Sequence, residues 1–156
     1  MARSSTHRTH PGTDIYPAAK RSALMRGVRR EGTAPEEAVR RLLDVLRVPY
    51  VANDRSLPGA PDLVMRGRKK VLFVHGCFWH HHQGCARASI PRTRRAWWEA
   101  KLLLNRRRDR RVIASLREAG WSVGVVWQCQ TRKPSLPSRI RRFLTQRTLN
   151  KRSTGT

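Results

Sequence analysis

The chain is expected to fold as a mixed α/β domain in which helices pack on a sheet. Two patterns predict this. Apolar residues recur at helical spacing across 33–46 and 94–119, whereas 62–65, 71–75 and 121–127 read as strands. A third observation bounds the size: 156 residues, 38% of them hydrophobic, suffice for one core.

Taken in order, residues 1–17 are rich in Ser, Thr, His, Gly and Pro and read as a flexible basic arm. Residues 18–28 can form a short helix with Leu24, Met25 and Val28 on one face. Thr33 is placed to cap the next helix, with Pro35 in its first turn and Glu36 three residues after the cap. Val39, Leu42, Leu43 and Leu46 give that helix its apolar stripe. Residues 53–61 are turn-rich. The strands 62–65 and 71–75 form a hairpin around Arg66-Gly67-Arg68-Lys69-Lys70. In the second strand Val71, Phe73 and His75 share one face, and Leu72 and Val74 the other. A long helix over 94–119 carries Trp98, Leu102, Asn105, Asp109, Val112, Ile113 and Leu116 near one stripe, and Gly120 ends it. Strand 121–127 puts Val123, Val125 and Trp127 on one side, with Cys129 continuing it. A last basic helix over 138–149 reads as short and exposed. No internal repeat is visible. The expected organisation is an arm at 1–17, a domain at 18–132 and a basic helix and tail at 133–156.

Charge narrows the function. The chain has 34 Lys plus Arg against 10 Asp plus Glu, a formal net of +24. Such an excess repels itself unless something neutralises it, and a phosphate backbone is the usual neutraliser. A solvated surface, an anionic membrane or an acidic protein are the blander choices. No apolar run is long enough to cross a membrane, and residues 1–20 have no apolar signal core. The expected place is the cytoplasm, close to the nucleoid.

Two of the 3 Cys, Cys77 and Cys85, lie among four of the 6 His. That grouping favours a metal over a disulfide or buried free thiols. Cys77, His82 and Cys85 fall within nine residues, and Cys129 would return as a fourth ligand on the next strand. Four thiolate or imidazole ligands in a closed tetrahedron suit structural zinc. His80, His81 and His82 are adjacent, and one of them fits the set.

In a chain this poor in acids each carboxylate is informative. Asp62 follows Pro61 at a strand start, which suits magnesium: that ion takes one or two carboxylates plus water and substrate oxygens. The antiparallel partner brings Val74 and His75 close. His75 and His80 could move a proton. Glu36 and Asp109 lie on helices that can reach the same hairpin. Each also has a plainer reading: Asp62 as a turn residue, Glu36 as a capping box, Asp109 as a surface ion-pair partner. Phe78 and Trp79 sit in a polar, His-rich loop, where an apolar wedge between base pairs would explain them better than a core.

Together these residues resemble the very short patch repair (Vsr) endonuclease family. The resemblance rests on Leu57-Pro58-Gly59-x-Pro61-Asp62, on His75-Gly76-Cys77-Phe78-Trp79-His80 and on Val126-Trp127-x-Cys129. Arg21-Ser22, Met25-Arg26, Thr33 with Glu36, and Trp98 with Lys101, Asn105 and Asp109 add weaker matches, in the same order, across about 18–130. It implies a restriction-endonuclease-like mixed sheet flanked by helices, with a structural zinc site. It implies a magnesium-dependent enzyme that nicks one strand 5′ of the T in T:G mismatches left by deaminated 5-methylcytosine. By that likeness Asp62 and the backbone carbonyl of Val74 hold magnesium. His75, His80, Glu36 and Asp109 complete the catalytic set. Cys77, His82, Cys85 and Cys129 hold zinc, and Phe78, Trp79 and Trp98 intercalate into DNA. One residue more separates His82 from Cys85 than in the family pattern, and no firm match continues past 132. The partner expected is mismatched duplex DNA bound by a monomer, with mismatch-repair proteins and a repair polymerase as candidates downstream. Two other readings remain beside it: a non-catalytic zinc-stabilised DNA-binding module, and a restriction-type nuclease of the same fold with another target.

Overall fold

A computed structural model describes residues 32–146. The arm at 1–17, the short helix at 18–28 and the weaker motif residues within it lie outside the described residues. Helix α1 spans Ala34–Val45. Strands β1 (Val51–Ala52), β2 (Leu63–Met65) and β3 (Lys70–His75) follow, then helix α2 (Arg95–Glu118), strand β4 (Ser122–Trp127) and helix α3 (Leu136–Thr145).

The sheet order is β1-β2-β3-β4. β2 and β3 form the expected antiparallel hairpin, with Val64 opposite Val71. β4 runs parallel to β3, from Lys70 opposite Ser122 to His75 opposite Trp127. A parallel partner needs a long crossover, and α2 supplies it. β1 pairs Val51 with Val64 and is exposed. Two residues are too few to show alternation, so this strand leaves no period to read.

Strand period divides the core as expected. Val64, Val71 and Phe73 face α2, packing with Leu116 and Trp121 beside Val112, Ile113, Val123 and Val125. Leu63, Met65, Leu72 and Val126 face α1 and α3, meeting Val39 and Leu43 from one and Leu136, Ile140 and Leu144 from the other. The result is a sheet with helices on both faces.

Helix α3 corrects one expectation. It starts two residues earlier than 138, ends at Thr145 rather than Leu149, and is not an exposed appendage. Leu136, Ile140 and Leu144 are buried, with Phe143 packed beside them. Its apolar stripe is interrupted by Arg139, Arg141 and Arg142, which hide the period from a reading dominated by charge. Gly124 makes the docking close: a Cβ there would lie 2.6 Å from Leu72 Cδ2 and 3.0 Å from the Phe143 ring.

Candidate functional site

The site gathers where β3 ends. After His75 the chain turns tightly, with His80 N–H donating to the Gly76 carbonyl at 3.2 Å and His82 N–H to the Cys77 carbonyl at 2.9 Å. This turn stacks Cys77 and His82 on one side. The parallel register ends at Trp127, so Cys129 emerges beside them, its N–H 3.4 Å from Cys77 Sγ. One ligand atom from each of Cys77, His82, Cys85 and Cys129 falls within 4.8 Å of the others.

Zinc fits this set. His82 Nδ1 stands 3.7 Å from Cys77 Sγ and 3.4 Å from Cys129 Sγ. A tetrahedron with ordinary zinc–sulfur and zinc–nitrogen bonds places such atoms about 3.6 Å apart. Burial pushes the Cys77 thiol up to about 11, so ionising it calls for a nearby cation. The His82 ring stacks on Trp127 at 4.1 Å, which fixes its plane.

Asp62 sits one residue before β2. Its Oδ2 accepts the Val74 N–H at 2.7 Å, across the hairpin as expected. Burial raises its pKa to about 6, with Glu36 adding to the rise and the Val74 hydrogen bond and His80 opposing it. A carboxylate desolvated beside a second carboxylate suits a divalent cation. Among the described residues Asp62 belongs to no group of three converging His, Cys, Asp or Glu ligand atoms. Magnesium tolerates this, since it keeps several waters and takes few protein ligands.

The other expected residues converge on the same groove. His80 Nδ1 and Asp109 Oδ2 are 2.6 Å apart. A carboxylate there holds the proton on Nδ1 and leaves Nε2 bare. Burial would push the Asp109 carboxyl up, but His80, His75 and Arg108 together hold it below the ordinary value. His75 stacks on His80, centroids 3.7 Å apart and planes 7° from parallel. Burial, with His80 beside it, lowers His75 to about 4, so it is neutral at physiological pH. Glu36 is 3% exposed and lines the groove, but its oxygens are engaged. They accept from Gly32 N–H at 2.9 Å and Thr33 Oγ1 at 2.8 Å. The capping box expected at Thr33 is therefore shifted: Glu36 reaches the backbone one residue before the cap, and Thr33 makes no side-chain bond to the helix backbone. A cavity of about 830 Å³ joins Glu36, Asp62, Val74, His75, His80 and Asp109.

Phe78, Trp79 and Trp98 form one cluster, with Phe78 5.2 Å from Trp79 and 5.1 Å from Trp98. Asn105 pins it by donating to the Trp79 carbonyl at 3.0 Å. Trp98 is 9% exposed and forms the base of the cluster, while neighbouring Trp97 is 48% exposed.

Some site residues left no clear trace in the sequence. Gln128 lines the groove, and its Oε1 faces Cys77 N–H at 3.4 Å. Asp54 is 8% exposed and ties residues 53–61 together. It accepts from Ser56 N–H at 3.0 Å and Ser56 Oγ at 2.6 Å, and pairs with Arg66. The scarcity of acids was the one signal that could have singled it out. Gly59, in the same loop, has φ +73, and a Cβ there would lie 2.4 Å from Val112 Cγ1.

Comparison with known proteins defines the class and then the family. A solved structure, the catalytic domain of the homing endonuclease I-Bth0305I, superposes with a TM-score of 0.50 at 18% identity, over 72% of this chain and 94% of that one. The chain thus shares that domain's fold, a restriction-endonuclease-like mixed sheet flanked by helices. The family model described as DNA mismatch endonuclease Vsr matches residues 13–87. The DNA mismatch endonuclease Vsr of Escherichia coli is 42% identical over 76% of this chain and 76% of its own length. The type II nicking enzyme V.XorIIP of Xanthomonas oryzae is 44% identical over 85% of this chain and 97% of its own. Another, V.NaeI of Lentzea aerocolonigenes, is 40% identical over 81% and 78%. The chain belongs to the Vsr family and is a DNA endonuclease.

Proposed function

We propose that this nuclease nicks one strand 5′ of the T in a T:G mismatch, with magnesium held at Asp62 and the Val74 carbonyl. The observation that carries the reading is the His80–Asp109 pair, 2.6 Å apart, opening onto the same groove as the half-buried Asp62 carboxylate. Magnesium there would neutralise charge on the scissile phosphate and favour ionisation of a nearby water. Asp109 orients His80, whose Nε2 takes the proton from the attacking water. Neutral His75 stacks on His80 and limits its movement. Glu36 keeps the start of α1 against the groove. Lys101 and Arg108 at the groove supply charge for the DNA backbone. Phe78 and Trp79, backed by the buried Trp98, enter the stack beside the mismatch, where a wobble pair opens more readily than a matched one. Zinc on Cys77, His82, Cys85 and Cys129 holds the loop that carries both His80 and the wedge.

The protein acts as a monomer on cytoplasmic, nucleoid DNA. Among the described residues no helix is long and apolar enough to cross a membrane. Mismatch-repair proteins and a repair polymerase would act on the nick.

The test is a strand-specific nicking assay with magnesium on T:G and C:G duplexes, using the wild type and Asp62→Ala. T:G cut well, C:G spared and Asp62→Ala inert is the expected result. Equal cutting by both proteins sinks the metal assignment, and equal cutting of both duplexes sinks the mismatch assignment. A second reading keeps the nick but changes the target, because relatives such as V.XorIIP and V.NaeI are named as type II nicking enzymes. A panel of mismatches and flanking sequences separates the two.

A further inference from the structure

His75, His80 and Asp109 form a wall between two cavities. On one side lies the groove with Asp62 and Glu36. On the other, under the overhang of α2 at the β4 edge, lies a cavity of about 390 Å³ with a different chemistry. Arg106 and Arg110 enter it from α2, and its floor is Ile113, Val125 and Trp127. The groove holds the Glu36 and Asp62 carboxylates, which suit a cation, together with Lys101 and Arg108. The β4 side carries guanidiniums and suits an anion.

Arg106 and Arg110 are one helical turn apart, on the same face. Like charges at that spacing repel each other. Among the described residues neither has a carboxylate partner. The one acid lining the cavity, Asp109, is already engaged by His80 at 2.6 Å and Arg108 at 3.3 Å. Arg106 is only partly exposed, so solvent solvates it incompletely. His81 lines the same cavity, and its buried Nδ1 has no hydrogen-bond partner. Its backbone is left-handed, with φ 49°. Gln83 adds a side-chain amide at the rim. Paired guanidiniums at a concave site match the geometry of a phosphate better than that of a simple halide.

We propose that this cavity is a phosphate site, separate from the groove that holds Asp62, with Arg106 and Arg110 as its anion ligands. The phosphate could come from a DNA backbone or from free inorganic phosphate, and the chemistry of the site is the same for both. The site does not depend on what the groove cuts.

The test uses the full chain and measures no cleavage. Inorganic phosphate is titrated at low ionic strength by calorimetry, without magnesium, against the wild type, Arg106→Gln/Arg110→Gln, the single Arg110→Gln and Arg107→Gln. Arg107 lies away from the cavity on the exposed side of α2. We expect millimolar binding by the wild type, at least fivefold weaker binding by the double variant, an intermediate effect of Arg110→Gln, and less than twofold change for Arg107→Gln. A matched duplex is then added. Displacement of phosphate by the duplex, with a salt dependence of duplex binding shallower by about one unit in the double variant, assigns the site to a DNA phosphate. Phosphate retained beside bound duplex assigns it to the free ion. No saturable phosphate binding, or equal binding by wild type and both arginine variants, overturns the site. Unchanged melting of Arg110→Gln keeps loss of fold from imitating loss of the ligand.

Discussion

At the scale of single residues, Asp62 carries the sharpest consequence. Its folded pKa, about 6, lies above the ordinary 3.8, so the folded chain holds this proton more tightly than the unfolded chain does. Without divalent metal, this group's contribution to stability is therefore undiminished below pH 4, declines as pH rises from about 4 to about 6, and stays reduced above that. The deficit is about 3 kcal/mol at most. Asp62→Asn removes it while keeping an oxygen for the Val74 N–H. We expect this variant to lose nicking by more than about a hundredfold, yet to melt several degrees higher than wild type at pH 8 in chelator. A lower melting point would show that the carboxylate is already compensated. Nicking at limiting magnesium should also fall as pH drops through 6. For His80 the orienting partner is the variable. Asp109→Asn keeps the shape but lets the imidazole adopt the other tautomer, and a loss of roughly a hundredfold or more in nicking rate is expected with duplex affinity unchanged. Asp62 stood out because acids are few, His75 and His80 because the hairpin and loop bring them near it, and Asp109 chiefly through the family resemblance; all four line one groove. Asp54 and Gln128 were not, because their roles depend on loop closure and on a strand neighbour 51 residues away.

At the scale of elements, the hairpin and the long helix were readable from period alone. The alternation of Val71, Phe73 and His75 against Leu72 and Val74 assigned both faces of β3 correctly. β1 was not readable, since two exposed residues hold no period. The apolar face of α3 was obscured by its arginines. Its docking makes a direct prediction. Gly124→Ala forces a methyl against Leu72 and Phe143, and should destabilise the chain by roughly 1–3 kcal/mol. Ile140→Ala, which empties a buried position on the same helix, should cost about 2–4 kcal/mol. Chemical denaturation measures both. If α3 were a solvated appendage, as its charge suggested, Ile140→Ala would not register.

At the scale of the whole molecule, the candidate zinc set and the sheet meet at the same junction. Cys77 follows β3 and Cys129 follows β4, so the four-ligand set ties the ends of two parallel neighbours. Metal analysis should find one zinc per chain. Stripping it with a strong chelator should lower the melting midpoint by roughly 10 °C or more, and Cys129→Ser should do much the same with zinc present. The order of these elements along the chain also bears on when the proposed site is complete. During synthesis Asp62, His75 and His80 leave the ribosome early. Asp109 and Cys129 come only with the crossover helix and the strand beyond it. On the proposed assignment, a half-made chain has Asp62 and both histidines but neither the carboxylate that would aim His80 nor the last thiolate of the candidate metal set. On that assignment the site would be complete only once translation has passed residue 129.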